Sequence, residues 1–303
     1  MKAFRTDLFP LPLPPDHRFP IEKYRKLCER IERSQFPFAI ELLVPEPASD
    51  AELLRAHSQA YLDRLTRGTL SDAEQRRIGF PWSPEVVERS RRSTGATISA
   101  CRAALEEGVA VNLAGGTHHA FRDAGEGFCL FNDSVVAARA MQAEGRASRV
   151  VVIDLDVHQG NGTAALCRDD PTIFTFSVHG AKNFPLRKEI SDLDVELPDG
   201  ITDAEYLATC EQGLFETLHR FQADLAIYLA GADPFEGDRL GRLKVSKAAL
   251  ARRTAMVLEA CWERRLPVAV TMAGGYAHHI EDTVDLYFDT VQQCGAWSIH
   301  WRR

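Results

Sequence analysis

The sequence predicts an α/β protein built on an open, mostly parallel sheet with helices on both faces. Short apolar runs alternate with longer stretches of helical periodicity from residue 109 onward, and such alternation is typical of parallel sheets covered on both sides. The run at 150–153 is entirely β-branched, which suits a strand buried on both faces. No linker-like segment of different composition interrupts this alternation of strands and helices, so we expect residues 1–303 to form one domain.

The N-terminal third is predicted to be mainly helical. Residues 1–20 contain five prolines, which helix interiors exclude, so we expect this segment to be irregular. Apolar residues at helical spacing predict helices over residues 21–33, 48–56, 59–65 and 84–107. The loop at 79–84 carries Trp82, which either borders a binding site or packs internally.

Beyond residue 108, strands are predicted over residues 109–113, 149–153, 172–178, 225–229 and 267–272. Helices are predicted over residues 133–144, 162–167, 203–221, 246–264 and 280–293. Each strand leads into a loop that contains His, Asp or Tyr, mostly beside glycine. Because ligands bind outside the carboxyl ends of strands in open parallel sheets, we expect these loops to meet at one site.

Composition narrows the class of protein. The net charge of −7 argues against a general nucleic-acid binder. No apolar window is long enough for a membrane span, and the proline-rich start does not resemble a signal peptide. The seven cysteines show no CxxC spacing, which predicts reduced thiols and a cytoplasmic location. The oligomeric state stays open.

The stretch DLDVHQGNG at 154–162 follows the buried run. Asp154, Asp156 and His158 are two residues apart, and such side chains leave an extended chain on the same side. With Asp233, which follows the strand at 225–229, Asp156 and His158 offer two carboxylates and one imidazole. This set suits a catalytic Zn²⁺ with an open position, although Fe²⁺ or Co²⁺ would also bind. Alone, Asp233 would indicate a turn or helix cap.

Three other residues are candidates for proton transfer or transition-state stabilisation. His118 and His119 are adjacent in a glycine-flanked loop, and imidazole exchanges protons near neutral pH. Tyr276 follows two glycines and offers a phenol to a developing oxyanion, although an isolated tyrosine is more often a packing residue. His278 and His279 are expected to be surface or capping residues.

Five motifs in register resemble the zinc-dependent histone deacetylase superfamily: GGTHHA at 115–120, GFCLFND at 127–133, DLDVHQGNG at 154–162, AGADPFEGDRLG at 230–241 and GGY at 274–276. The resemblance extends from about residue 95 to 290 and implies the arginase-like α/β fold. The stretches at 85–98 and 236–241 are most similar to the class IV branch and its bacterial relatives.

The resemblance implies a role for each candidate. The two aspartates and the histidine grouped above match the zinc ligands. His118 and His119 match the tandem histidines, the second being the general base, and Tyr276 matches the transition-state tyrosine. The implied reaction is hydrolysis of an N6-acyl-lysine amide by a zinc-activated water, with release of a carboxylate and an amine.

Further matches concern a second cation. Asp154 matches the partner of the first histidine. With Ser177, Val178 and the backbone around the zinc ligands, it also matches a buried monovalent-cation site that usually holds K⁺.

The remaining matches concern the substrate. Phe128 and Phe184 match the aromatic walls of the acyl-lysine channel, and Gly127 matches the carbonyl that accepts the substrate amide N–H. Gly275 is assigned to substrate binding with them.

Two positions depart from the common pattern. Asn161 stands where an aspartate often orients the second histidine, and a neutral amide predicts a lower pKa for His119 than aspartate would give. Thr117 stands where a large aromatic is common, so the cavity below the metal is either enlarged for longer acyl groups or filled by a neighbour.

These observations predict a zinc-dependent lysine deacylase that acts on acylated proteins or peptides. One alternative is an amidohydrolase of small acylated amines such as acetylpolyamines. Another is an inactive relative that only binds partners. The shape of the entrance would distinguish the deacylase from the amidohydrolase. The candidate elements of this entrance are Phe19, Trp82 and the loop at 180–199.

Overall fold

The computed structural model describes residues 1–301. Its strands are β1 (Lys2–Phe4), β2 (Glu41–Leu43), β3 (Val109–Asn112), β4 (Val150–Asp154), β5 (Ile173–Gly180), β6 (Leu193–Leu197), β7 (Leu225–Leu229) and β8 (Val268–Thr271). They form one sheet in the order β2-β1-β3-β8-β7-β4-β5-β6. Every neighbouring pair is parallel, which confirms the predicted parallel sheet.

The helices are α1 (Glu22–Arg33), α2 (Asp50–Leu53), α3 (Gln59–Arg67), α4 (Asp72–Ile78), α5 (Pro84–Glu107), α6 (Asp133–Ala143), α7 (Asn161–Cys167), α8 (Asp203–Arg220), α9 (Lys247–Glu263) and α10 (Ile280–Trp301). Local signals set their starts. Ser83 caps α5 just before Pro84, and Thr202 forms a capping box with Glu205 at α8. Such caps satisfy backbone N–H groups that have no partner within the helix.

The two faces of the sheet contribute to two separate hydrophobic cores. Alternate residues of β4 divide between them: Val151 and Ile153 pack with residues of α1, α8, α9 and α10, whereas Val150 and Val152 pack with residues of α3, α5 and α6. Burying each such side chain stabilises the fold by about 1.5–3 kcal/mol. The helices therefore cover both faces, as predicted.

The prediction that residues 1–20 are irregular is wrong for β1. Ala3 and Phe4 pair with Val111 and Asn112 of β3, and β2 pairs with β1 on its other side. The sequence prediction also omitted β2, β6 and α4. The two strands, of three and five residues, and the seven-residue helix are too short to show a clear periodicity.

Five central strands, β3, β8, β7, β4 and β5, end at the same edge of the sheet, and their following loops carry the predicted site residues. All seven cysteines are free and buried. Within residues 1–301, no helix is long and apolar enough to cross a membrane.

Candidate active site

The three predicted metal ligands meet at the carboxyl edge of the sheet. Asp156, His158 and Asp233 are buried, with ligand atoms that all lie within 4.8 Å of one another. His158 Nδ1 is 3.0 Å from Asp156 Oδ1 and 3.1 Å from Asp233 Oδ2. Despite that distance, Asp233 Oδ2 has no hydrogen-bond partner among residues 1–301. A buried carboxylate oxygen without a partner is costly, and a cation would satisfy it.

The backbone holds both carboxylates in place. Asp233 Oδ1 accepts from the N–H of Val157 at 2.9 Å, and Asp156 Oδ2 accepts from the N–H of Gly274 at 2.7 Å. A Cβ on Gly274 would lie 2.0 Å from Asp233 Oδ2, so a side chain there would displace the cluster. Burial, together with the negative charge of Asp156, raises the pKa of Asp233 to about 7. This buried set of two carboxylates and one imidazole fits a divalent metal ion.

The tandem histidines have different partners. His118 Nδ1 lies 2.6 Å from Asp154 Oδ2. Burial alone would lower the pKa of His118, but Asp154 and Asp156 outweigh it and raise the pKa to about 9. These two carboxylates therefore favour the protonated form of His118. It lies behind the cleft wall, while His119 is part of that wall.

The surroundings of His119 favour a neutral ring. Burial, and then the positive charges of His118 and His158, hold the pKa of His119 well below its usual value. Its Nδ1 is 2.7 Å from Asn161 Oδ1. Asn161 donates through Nδ2 to Glu126 Oε2 at 3.0 Å. Because Glu126 takes the amide N–H, the amide oxygen faces the ring, the proton lies on Nδ1, and Nε2 is free to accept a proton.

Tyr276 lines the cleft beside His119 and His158. Burial, and then the negative charges of Asp156 and Asp233, raise its pKa well above 10, so the phenol stays protonated and can donate. Its backbone N–H donates to Asp238 Oδ2 at 2.6 Å.

A buried lysine supports the turn before this tyrosine. Lys23 donates to the carbonyl of Gly275 at 3.0 Å and to the Tyr287 hydroxyl at 3.1 Å, and its ammonium is 4.9 Å from the Tyr276 ring centre. Gly275 is absent from the described cleft wall, so its part in substrate binding stays a prediction.

Gly127, Phe128 and Phe184 all line the cleft. The Phe184 ring centre lies 4.9 Å from that of His119, and the Phe128 ring centre lies 6.0 Å from that of Tyr276. Gly127 has a φ of +54°, and a Cβ there would be 2.6 Å from His119 Cδ2. Glycine is therefore needed where the backbone passes the base.

The predicted entrance elements differ in position. The loop at 180–199 contributes Lys182, Asn183 and Phe184 to the cleft wall. Phe19 is buried behind the wall, with its ring centre 5.2 Å from that of Phe128. Trp82 packs over Gly68 and donates to the Leu65 carbonyl at 2.7 Å.

Thr117 does not open an acyl-sized space. Its hydroxyl donates to Asp133 Oδ1 at 2.9 Å. The cavity that it lines has a volume of about 50 Å³, roughly the space of one or two water molecules. Phe19, Phe128 and Phe131 also line this cavity, so neighbouring aromatic rings fill most of the space left by the small side chain.

The residues predicted for a monovalent cation lie on adjacent strands. Asp154 pairs with Ser177 in the β4–β5 register, and Val178 follows. All three are buried. The Ser177 hydroxyl is 2.9 Å from His179 Nδ1.

Sequence reasoning missed several supporting residues. Asp133 accepts from the backbone of Gly116 at 2.9 Å and Thr117 at 2.8 Å, and thereby shapes the loop of the tandem histidines. Asp133 and Asp238 lie inside the quoted motifs at 127–133 and 230–241, so these motifs were the available signal. No motif marked Glu126 or Lys23.

The fold and the site define a class: an α/β protein with a parallel sheet and a buried Asp-His-Asp cluster that fits a divalent metal ion, beside a histidine and a tyrosine. The profile of the histone deacetylase domain matches residues 17–290. An uncharacterised protein of Picosynechococcus is 44% identical over 273 residues, 90% of this chain and 91% of that protein. Histone deacetylase 2 of Arabidopsis thaliana is 32% identical over 286 residues, 89% of this chain and 73% of that protein.

A solved structure agrees on the fold. An HDAC homologue from Aquifex aeolicus superposes with a TM-score of 0.81 at 23% identity and covers 97% of this chain and 83% of its own. The chain belongs to the histone deacetylase family. It is a hydrolase of that family, and its placement in the class IV branch stays a prediction.

Proposed function

We propose that this protein hydrolyses the amide bond of N6-acyl-lysine in proteins or peptides. The observation that carries the proposal is that His119, His158 and Tyr276 line one cleft, while Asp156 and Asp233 join His158 in a buried cluster of ligand atoms. The three ligands would hold zinc, with Fe²⁺ or Co²⁺ as substitutes. When bound, such an ion supplies Lewis acidity, which polarises an acyl carbonyl and lowers the pKa of a water molecule.

The residues of the chain account for the proton transfers. His119 Nε2 removes a proton from the attacking water, because its low pKa keeps the ring neutral and Asn161 keeps the proton on Nδ1. Tyr276 donates a hydrogen bond to the acyl oxygen as negative charge develops on it. His119, now protonated, gives its proton to the departing lysine amine. Asp154 and Asp156 favour protonation of His118, and a protonated His118 would stabilise negative charge in the transition state.

The substrate would lie between the walls of the cleft. Phe128 and Phe184 would contact the lysine methylene groups and exclude water. The carbonyl of Gly127 would accept the amide N–H. Cys129 Sγ is 3.3 Å from this carbonyl, but a thiol is a weak donor, so the oxygen keeps acceptor capacity.

A monovalent cation, K⁺ in this proposal, would bind where Asp154 and Ser177 pair. Its positive charge would stabilise the negative charges of the buried carboxylates nearby. All seven thiols are free and buried. This is consistent with a cytoplasmic location, because the cysteines of exported proteins commonly form disulfides.

The small volume at Thr117 favours short acyl groups. The cleft itself is open enough for a small acylated amine, so an acetylpolyamine is the second candidate substrate. An inactive binding relative is disfavoured, because each side chain that hydrolysis requires is present: the three candidate metal ligands, His119 and Tyr276.

A substrate panel tests the proposal. Acetyl-, octanoyl- and myristoyl-lysine peptides and acetylpolyamines would be assayed with zinc-loaded protein, with and without a chelator. We expect acetyl-lysine peptides to be hydrolysed fastest, with loss of activity in chelator and in His119→Ala. A preference for acetylpolyamines would select the second candidate, and no amide hydrolysis by wild type would refute the proposal.

A further inference from the structure

The entrance of the cleft is basic, although the chain as a whole has a net charge of −7. The cleft has a volume of about 550 Å³, and six exposed cations line it: Arg18, Arg76, Arg77, Lys182, Arg239 and Arg242. We call this group the basic mouth. Glu126 is the one acidic side chain on the same wall among the described residues.

Three of these cations have local acidic partners. Arg77 Nε lies 3.1 Å from Glu126 Oε1. Arg242 and Lys182 share Asp199, at 2.8 Å and 3.8 Å. Six cations are thus set against two carboxylates, and the mouth keeps an excess of positive charge.

The other three cations, Arg18, Arg76 and Arg239, have no carboxylate partner among residues 1–301. Two of them, Arg18 and Arg239, contact residues that line the cleft. Arg239 donates from Nε to the Tyr276 carbonyl at 2.9 Å and from Nη2 to the Arg18 carbonyl at 3.0 Å. The Arg18 guanidinium lies 5.2 Å from the Phe128 ring centre. Their charges are positioned before a substrate arrives.

We infer that the basic mouth selects acyl-lysine flanked by carboxylates, that is, an acidic peptide segment. The inference rests on the proposed function and specifies its substrate. Guanidinium groups match carboxylates in geometry and charge, and five of the six cations are arginines. An acylated polyamine would instead bring ammonium groups to uncompensated arginines, which like-charge repulsion disfavours.

The test compares three acetyl-lysine peptides of equal length, flanked on each side by two Glu, two Gln or two Lys residues, together with acetylspermidine. An exposed charge pair changes affinity by about two- to threefold, so three uncompensated cations predict about a tenfold higher kcat/KM for acidic than for basic flanks. We expect the preference to shrink in 0.5 M KCl, where the Debye length is about 4 Å. Equal rates, or faster turnover of basic peptides or acetylspermidine, would overturn the inference.

Matched double variants locate the effect. Arg18→Gln with Arg76→Gln is expected to reduce the acidic-over-basic ratio to about threefold. Arg55→Gln with Arg67→Gln removes the same charge from exposed residues outside the cleft wall, and should keep the wild-type ratio. An equal loss of preference in both variants would contradict the assignment, because the effect would then come from net charge.

Binding separates failure of this inference from failure of the proposed function. If the neutral peptide is hydrolysed without any effect of flanking charge, the inference fails and the proposed function stands. If no amide is hydrolysed, fluorescence anisotropy with rhodamine-labelled peptides still decides: tighter binding of the acidic peptide supports the inference, and equal binding overturns it. A single-stranded oligonucleotide that binds this mouth more tightly than the acidic peptide would also overturn it.

Discussion

The floor of the cleft and its mouth have opposite electrostatic character. The floor concentrates buried carboxylates: Asp154, Asp156, Asp233 and Asp238 each accept a backbone or histidine hydrogen bond. The mouth carries exposed arginines, and three of them have no acidic partner in the part of the chain that the structure describes. Buried charges require partners, because desolvation is costly, whereas exposed charges remain hydrated. The floor is therefore fixed by the fold and sets the reaction, while the mouth is free to set the choice of substrate.

The largest expected effect comes from removing one of the metal ligands at the floor of the cleft. Asp233→Ala or His158→Ala should lower kcat/KM by at least about a thousandfold, since a metal ion contributes several kcal/mol to such a transition state. Metal content measured on the purified protein should fall in parallel. The control is His278→Ala, an exposed neighbour of Tyr276, which should retain both metal and activity.

The floor and the mouth should respond independently to this change. Acidic peptides should still bind Asp233→Ala more tightly than basic ones, because the arginines remain. If the preference for acidic peptides were lost together with the metal, the floor and the mouth would not act independently.

Tyr276→Phe should reduce kcat by about 10²–10³-fold, the usual cost of removing an oxyanion donor. KM and metal content should change little, because the ring and the backbone hydrogen bond to Asp238 are kept. Steady-state kinetics with an acetyl-lysine peptide measures this effect. An unchanged kcat would exclude the tyrosine from oxyanion stabilisation.

Glu126 joins the two regions, since it contacts Arg77 of the mouth and Asn161 beside the base. Glu126→Ala frees the Asn161 amide to rotate, and we expect kcat to fall by about tenfold, as for other indirect supports of a site. Nitrogen-15 NMR of the His119 ring should show loss of the single Nδ1–H tautomer. The control, Glu216→Ala, removes an exposed helical pair with Arg220 and should alter neither observation.

The smallest change is expected in the pH profile of Asn161→Asp. In wild type the pKa of His119 lies well below 6.5, so the base becomes protonated only in acid. A carboxylate at residue 161 stabilises the imidazolium and raises that pKa. The acidic limb of the kcat/KM profile should therefore move to higher pH. An unmoved limb would contradict the assigned role of Asn161.

The floor was largely predictable from the sequence, and the mouth was not. Asp154 ends β4, and Asp156 and His158 follow it within four residues, in the bend after the strand, so their closeness in sequence keeps them at one strand end. Asp233 follows β7, which is the neighbour of β4 in the sheet. Parallel topology was enough to bring these loops to one edge.

The mouth depends on how three loop segments and α4, which carries Arg76 and Arg77, are arranged in space. Its cations come from four separated segments, around residues 18, 76–77, 182 and 239–242, so no run of charge marked them in an acidic chain. The contact between Glu126 and Asn161 spans 35 residues and has no periodic signal. The strands β1 and β2 were missed for a similar reason, because pairing with β3 rather than local pattern defines them.

The central claim is that a metal held by Asp156, His158 and Asp233 enables amide hydrolysis. The most direct measurement titrates chelator-treated protein with Zn²⁺ while following metal binding by calorimetry and hydrolysis of the neutral acetyl-lysine peptide. We predict that activity rises in proportion to bound zinc, reaches its maximum at about one ion per chain as for a catalytic site, and is absent from Asp156→Asn with Asp233→Asn. Full activity in the metal-free protein, or in that double variant, would contradict the account.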